Sequence, residues 1–206
     1  MKTFIIVATL LGMTSTANYA QWNRTPEVSG AVYLSDGSEL LTPFTYDEKK
    51  QVLWRENSSS FKVLTTFHVD SFFFYDPKLN WQRRFKKLNY QQRPQFFEVV
   101  ARGPLEILRL RSPFDAPERV VTQDFDRQVL DYRFFVYQQG KLSTLNGYDI
   151  SSIKETHPHV WREIRRYSRA QHFSFYKMHH KLQIIQKVND LLSDEPSELL
   201  VAGGKP

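Results

Sequence analysis

From Gly30 to Leu145 turn-forming residues recur every 8–15 positions. Spacing of that kind favours an antiparallel meander, drawn as a curled sheet or a partly open barrel, over βαβ units. Ala31 to Leu34 runs into Asp36-Gly37, a tight-turn signal, and Glu39 to Tyr46 makes the return strand. Pro43 within it marks an edge or a bulge. Asp47 to Lys50 and Asn57 to Ser60 are turns on either side of a strand at 51–56. Phe61 to Tyr75, with consecutive aromatics at 72–75, reads as a strand buried on both faces and ended by Asp76-Pro77. Trp81 to Tyr90 follows, and then strands at 96–101 and 105–111 flank Gly103-Pro104. Residues 112–128 hold two prolines and read as a loop. Tyr132 to Tyr137, a turn at Gln138 to Gly140, and Leu142 to Leu145 complete the strands. Tyr33 to Leu40 and Tyr137 to Leu145 both set a glycine turn after Val-Tyr, which two hairpins obeying one turn rule explain without a duplication.

The pattern changes at Asn146-Gly147. Asp149 is placed to cap a short helix over 150–155, and Pro158 ends it and opens the next. Val160, Ile164 and Tyr167 then fall on one helix face beside Trp161, with Arg162, Arg165, Arg166 and Arg169 on the other. Residues 171–174 break the pattern, and Ser174 reads as the cap of a last helix that runs to about Leu192. Its apolar stripe from Met178 to Leu192 spans half the circumference, with Lys181 as the exception. The expected fold class is α+β: a β-rich domain over 30–145, a C-terminal helical segment over 146–192 packed on it, and a flexible tail over 193–206.

Residues 1–20 read as a signal peptide. Lys2 supplies the basic start, Phe4 to Leu11 an apolar core too short to span a bilayer, and Gly12 to Ala20 a small-residue exit. Cleavage is expected after Ala17 or Ala20, followed by a linker over 21–29. The mature chain is then expected to be soluble and exported, to the periplasm or outside the cell, with no transmembrane segment.

The absence of cysteine excludes a disulfide framework, a thiolate zinc site, a cysteine nucleophile and a lipidated cysteine anchor. It also suits folding in an oxidising compartment. There is no GxSxG nucleophile elbow and no glycine-rich phosphate loop. Asp124-Phe125-Asp126 offers a carboxylate pair beside a turn, a common place for carboxylates. Trp22, Trp54, Trp81 and Trp161 are spread along the chain and read as core aromatics.

The hairpin Gly30 to Leu40 with the strand ending Phe72-Phe73-Phe74-Tyr75-Asp76, and the helical run from Asp149 through Trp161-Arg162-Glu163-Ile164 to Leu192, resemble exported bacterial proteins of uncharacterised function. The resemblance spans about half the chain. It implies a β-rich body with C-terminal helices and brings no catalytic or binding residues with it.

Charge supplies the remaining candidates. The chain carries +6, which becomes +5 once Lys2 leaves with the leader. Lys154 to Lys187 holds eight basic and two acidic residues, and five of the six histidines lie in 157–180. Arg162, Arg165, Arg166 and Arg169 are the candidate anion-binding residues, for a polymer or a lipid headgroup. An ordinary amphipathic helix shows the same alternation, so a solvated face is the competing reading. His157 and His159 are the nearest approach to a metal pair, but no HExxH or matching carboxylate spacing accompanies them, and the reading adopted is no metal and no cofactor. Arg83, Arg84, Lys86 and Lys87 form a second basic cluster. Strand alternation puts Arg83 with Phe85 and Arg84 with Lys86, and edge protection by charge explains the cluster better than nucleic-acid binding, which is not expected. The sequence therefore points to an exported, non-enzymatic binding protein of the bacterial envelope, its partner a protein or an anionic component. A small secreted hydrolase with an unrecognised site and a structural subunit of an envelope assembly are the alternatives.

Overall fold

A computed structural model describes residues 27–57, 60–112 and 131–193. The residues read as a signal peptide, most of those read as a linker, the Asp124–Asp126 pair, all of the 112–128 stretch but Ser112, and the residues beyond Ser193 lie outside the described residues. Eleven strands are described: β1 Gly30–Leu34, β2 Glu39–Leu41, β3 Thr45–Asp47, β4 Val52–Asn57, β5 Ser60–Leu64, β6 Val69–Asp76, β7 Trp81–Tyr90, β8 Arg93–Ala101, β9 Glu106–Arg111, β10 Tyr132–Gln138 and β11 Lys141–Thr144. A 3-10 turn at Ile150–Ser152 leads into α1 Ile153–Thr156, α2 Pro158–Ala170 and α3 Met178–Leu192. The class is α+β, as the sequence indicates.

Eight strands form one antiparallel sheet in the order β11-β10-β9-β8-β7-β6-β1-β2, and β3-β4-β5 form a second. From β6 to β11 the large sheet is a plain meander, and the β1–β2 hairpin docks on β6. The sheet is open but coiled. Tyr90 on β7 lies 5.0 Å from Phe135 on β10, ring centre to ring centre. Those strands stand three places apart, about 14 Å in a flat sheet. The coil closes one face around Phe97, Val99, Leu108, Leu110 and Phe135. Gly30 permits the close approach of β1 to β6, because a Cβ there would stand 1.9 Å from the Phe73 carbonyl oxygen.

The opposite face has two covers. Over β1, β6, β7 and β8 the small sheet lays Phe44, Tyr46, Leu53 and Leu64 onto Val32, Phe72, Phe74, Phe85 and Phe96. Over β8, β9 and β10 the helices lay Val160, Ile164, Leu182, Ile185 and Val188 onto Val100, Ile107, Phe134 and Val136. Each such side chain contributes about 1.5–3 kcal/mol by leaving water. Asn189 on α3, fully buried, fastens the helices to the β8–β9 turn. Its amide donates to the Leu105 carbonyl and accepts from the Leu105 N–H, both at 2.8 Å.

Several expectations change. The return strand drawn over 39–46 is two strands, β2 and β3, because the chain leaves the large sheet at Thr42-Pro43 and joins the small one. Phe61 to Tyr75 is likewise β5 and β6, separated by a turn at Thr65–His68. On β6 burial alternates, Phe72 and Phe74 inward and Tyr75 49% exposed, so that strand is not buried on both faces. The cap of the last helix is Lys177 rather than Ser174, with no side-chain cap bond. Finally, β7 is an interior strand between β6 and β8, which removes edge protection as the explanation for its basic residues.

Candidate functional site

Two polar assemblies stand out, and their chemistry differs. The first lies between the two covers of the large sheet. Arg83 of β7, Glu98 of β8 and Arg109 of β9 occupy neighbouring strands on the inward face and are all buried. Arg83 donates from Nε (2.9 Å) and Nη2 (2.6 Å) to the Glu98 carboxylate. Arg109 donates to it from Nε (2.8 Å) and Nη2 (3.0 Å). Glu48 and Asp76 approach Arg83 at 3.2 and 3.8 Å, Arg111 stands 3.9 Å from Glu48, and the Tyr132 hydroxyl donates to Glu48 at 3.1 Å. Three guanidiniums thus face three carboxylates. Burial would raise the Glu98 carboxyl pKa, but the charges and hydrogen bonds of Arg109 and Arg83 outweigh burial and hold it at about 2. Burial pushes the Tyr46 and Tyr132 hydroxyls up, with Glu48 adding to it. Each carboxylate here is occupied by a guanidinium, so the assembly organises the fold and leaves no group free for acid–base work.

This is where one member of the predicted basic cluster goes. Arg83 and Phe85 do share a face, as strand alternation requires, with the guanidinium 5.1 Å from the Phe85 ring. The others find other partners: Lys87, on the same face, pairs with Asp70, while on the opposite face Lys86 pairs with Glu106 and Arg84 lies 5.3 Å over Phe73. The cluster is thus divided among partners.

The second assembly is at the helical corner. The chain leaves α2 through a Schellman turn, in which the Phe173 N–H donates to the Ser168 carbonyl and the His172 N–H to the Arg169 carbonyl. His172 takes the left-handed position of that turn at φ +54°, where glycine is usual and another residue is strained. The reversal folds residues 173–177 back toward α3. Phe173 stacks on His180 at 4.7 Å, Phe175 meets Trp161 at 5.8 Å, and the Ser174 N–H donates to His180 Nδ1 at 2.9 Å. Packing, with the charges of His179 and Lys177, lowers the His180 pKa.

An open cleft of about 420 Å³ results, lined by Arg165, Ser168, Arg169, His172, Phe173 and Phe175. Arg165 and Arg169 are exposed and have no carboxylate in ion-pair range among the described residues. Ser168 is 4% exposed and lies on the inward face of α2 with Val160 and Ile164, and its buried hydroxyl has no hydrogen-bond partner among the described residues. A buried hydroxyl left unpaired costs about 1–3 kcal/mol. The cleft is thus lined by two arginines, a histidine and a serine, with aromatic side chains on its other wall.

Of the four predicted anion-binding arginines, the structure brings Arg165 and Arg169 to the cleft. Arg166 stands 3.3 Å from Glu163, and Arg162 lies exposed further back on the same stripe. His157 and His159 sit at the other end of α2, their rings 6.4 Å apart, with His157 Nδ1 2.9 Å from the Thr156 hydroxyl oxygen. No third histidine or carboxylate joins them in a ligand-like group among the described residues. Sequence reasoning missed Ser168, His172, Phe173 and Phe175. Ser168 was within reach of it, since it stands one turn from Arg165 on the same helix. The others are brought in by the chain reversal. Among the described residues no helix is long and apolar enough to cross a membrane. No family model, curated protein or solved structure matches the chain.

Proposed function

We propose that the protein is an exported, non-enzymatic binding protein of the bacterial envelope that takes an anionic group in the cleft at the end of α2. The observation carrying this reading is the meeting of Arg165, Arg169 and His172 on one open cleft, with no carboxylate in ion-pair range of either arginine among the described residues. Guanidiniums recognise phosphate, sulfate and carboxylate through paired donors. Export follows from the leader-like residues 1–20. Ser168 and His172 share the cleft, yet the hydroxyl makes no hydrogen bond to the imidazole, so no nucleophile–base contact supports a hydrolase.

Titration calorimetry with inorganic phosphate and with a heparin-like polyanion tests the reading. Binding is expected to weaken as salt rises, and Arg165→Gln/Arg169→Gln should cost more than tenfold in affinity, since a hydrogen bond to a charged group contributes about 1.5–3 kcal/mol. Arg162→Gln should cost much less. No binding to either probe, or equal binding by the double variant, overturns the proposal.

A further inference from the structure

The cleft is several times larger than a bare phosphate needs, and what lies beside it is not more charge. The segment 171–177 that forms one wall carries Tyr176, which is 97% exposed and stands next to the exposed Lys177. The Tyr176 N–H donates to the Ser174 hydroxyl at 3.3 Å, and Ser174 is itself held by His180, so the ring is projected from an anchored turn. Behind it the arginine stripe of α2 runs away from the cleft, with Arg162, Arg165 and Arg169 all exposed and without carboxylate partners among the described residues. Glu163 is the one carboxylate on that helix, and Arg166 occupies it.

We infer that this corner docks on a membrane surface, with the phosphate of an anionic phospholipid headgroup in the cleft beside Arg165 and Arg169 and the Tyr176 ring at the headgroup level. The inference rests on the anion-binding reading and names the source of the anion. Three features favour a lipid over a free anion. A fully exposed tyrosine with a polar tip suits the interface, where one end of the ring is apolar and the other wet. A row of unpaired arginines complements a sheet of phosphates better than a single ion. The cleft volume admits the glycerol joined to the phosphate, against the edges of Phe173 and Phe175. The docking is peripheral, since among the described residues Tyr176 is a single exposed aromatic side chain at this corner and not part of an extended apolar face.

The test compares sedimentation with vesicles of equal parts phosphatidylglycerol and phosphatidylcholine, vesicles of phosphatidylcholine alone, and calorimetry with inorganic phosphate. Wild type is expected on the anionic vesicles and not on the neutral ones. Arg165→Gln/Arg169→Gln should lower the partition about 30-fold, at about 1 kcal/mol for each basic side chain near the surface. Tyr176→Ser should weaken vesicle binding while leaving phosphate affinity unchanged, because the ring is outside the cleft. Phosphate binding without vesicle binding would overturn the lipid inference and leave the anion site standing. Vesicle binding insensitive to Tyr176→Ser and to the arginine pair would overturn the docking surface itself. Failure to bind either probe overturns both readings.

Discussion

Replacing Glu98 with Gln is the sharpest test of how the two halves of the core are joined. The carboxylate accepts four hydrogen bonds from Arg83 and Arg109 at 2.6–3.0 Å. Glutamine keeps the shape, but its one acceptor oxygen is neutral and its amide donors confront guanidinium donors. Arg83 retains Glu48 and Asp76. Arg109, 1% exposed and 4.4 Å from the Tyr132 ring, loses the carboxylate that four bonds tie into the centre. Removing one partner of a buried ion pair typically costs about 3–5 kcal/mol. At about 2–4 °C per kcal/mol for a chain of this size, the melting temperature should fall by about 10 °C. The pH dependence gives a second estimate. The Glu98 carboxyl moves from an ordinary 4.5 to about 2 on folding, so the unfolded chain binds that proton more tightly and stability rises with pH between those values. The contribution, about 3 kcal/mol, is complete above about pH 4.5 and is lost as pH falls toward about 2. Urea denaturation of wild type and Glu98→Gln at neutral pH and down the acid limb reads both. A loss under about 1 kcal/mol at neutral pH, or an unchanged acid slope in the variant, would refute the reasoning.

Two further predictions concern the helical half. Asn189→Ala should cost about 2–3 kcal/mol in urea denaturation, since it strands the Leu105 N–H and carbonyl, which Asn189 holds at 2.8 Å in a fully buried site; a cost below half a kcal/mol would mean the β8–β9 turn is held by packing alone. For His180 the folded pKa lies below the ordinary 6.5, so its contribution is full above that value and is lost as pH falls through the folded value. The amide of Ser174, which donates to His180 Nδ1, should then lose protection against exchange, relative to its intrinsic rate at each pH, in mild acid, and His180→Gln should remove that pH dependence.

What the sequence made legible was periodicity. Alternation on β7 placed Arg83 and Phe85 on one face, and the 3.6-residue spacing of α2 separated Val160 and Ile164 from the arginines; both hold. Periodicity says which residues share a face and says nothing of what covers it. Arg83 illustrates the gap: its neighbours in sequence are basic, and the carboxylates that neutralise it are 35 residues upstream at Glu48 and 15 downstream at Glu98. The same limit split two predicted strands. An apolar run with no turn signal stronger than Thr65–His68 or Thr42-Pro43 reads as continuous, whereas the chain uses those points to change sheets.

The ionic centre follows from that change of cover. The large sheet is too wide for the small sheet alone, and the helices reach only β8 to β10. At the seam neither cover supplies enough apolar surface, and the inward positions 83, 98 and 109 are charged. A neutral cluster closes that seam only in one register, because sliding β7 by one residue would send Arg83 outward and bring Arg84 in without its carboxylates. By the same logic the arginines of α2 are the telling ones. At the seam Glu98, Glu48 and Asp76 neutralise the buried guanidiniums, while at the helical corner Arg165 and Arg169 stand exposed with no carboxylate in ion-pair range among the described residues, Arg165 lying 5.8 Å over the Trp161 ring. That contrast is the ground on which the proposed anion site rests.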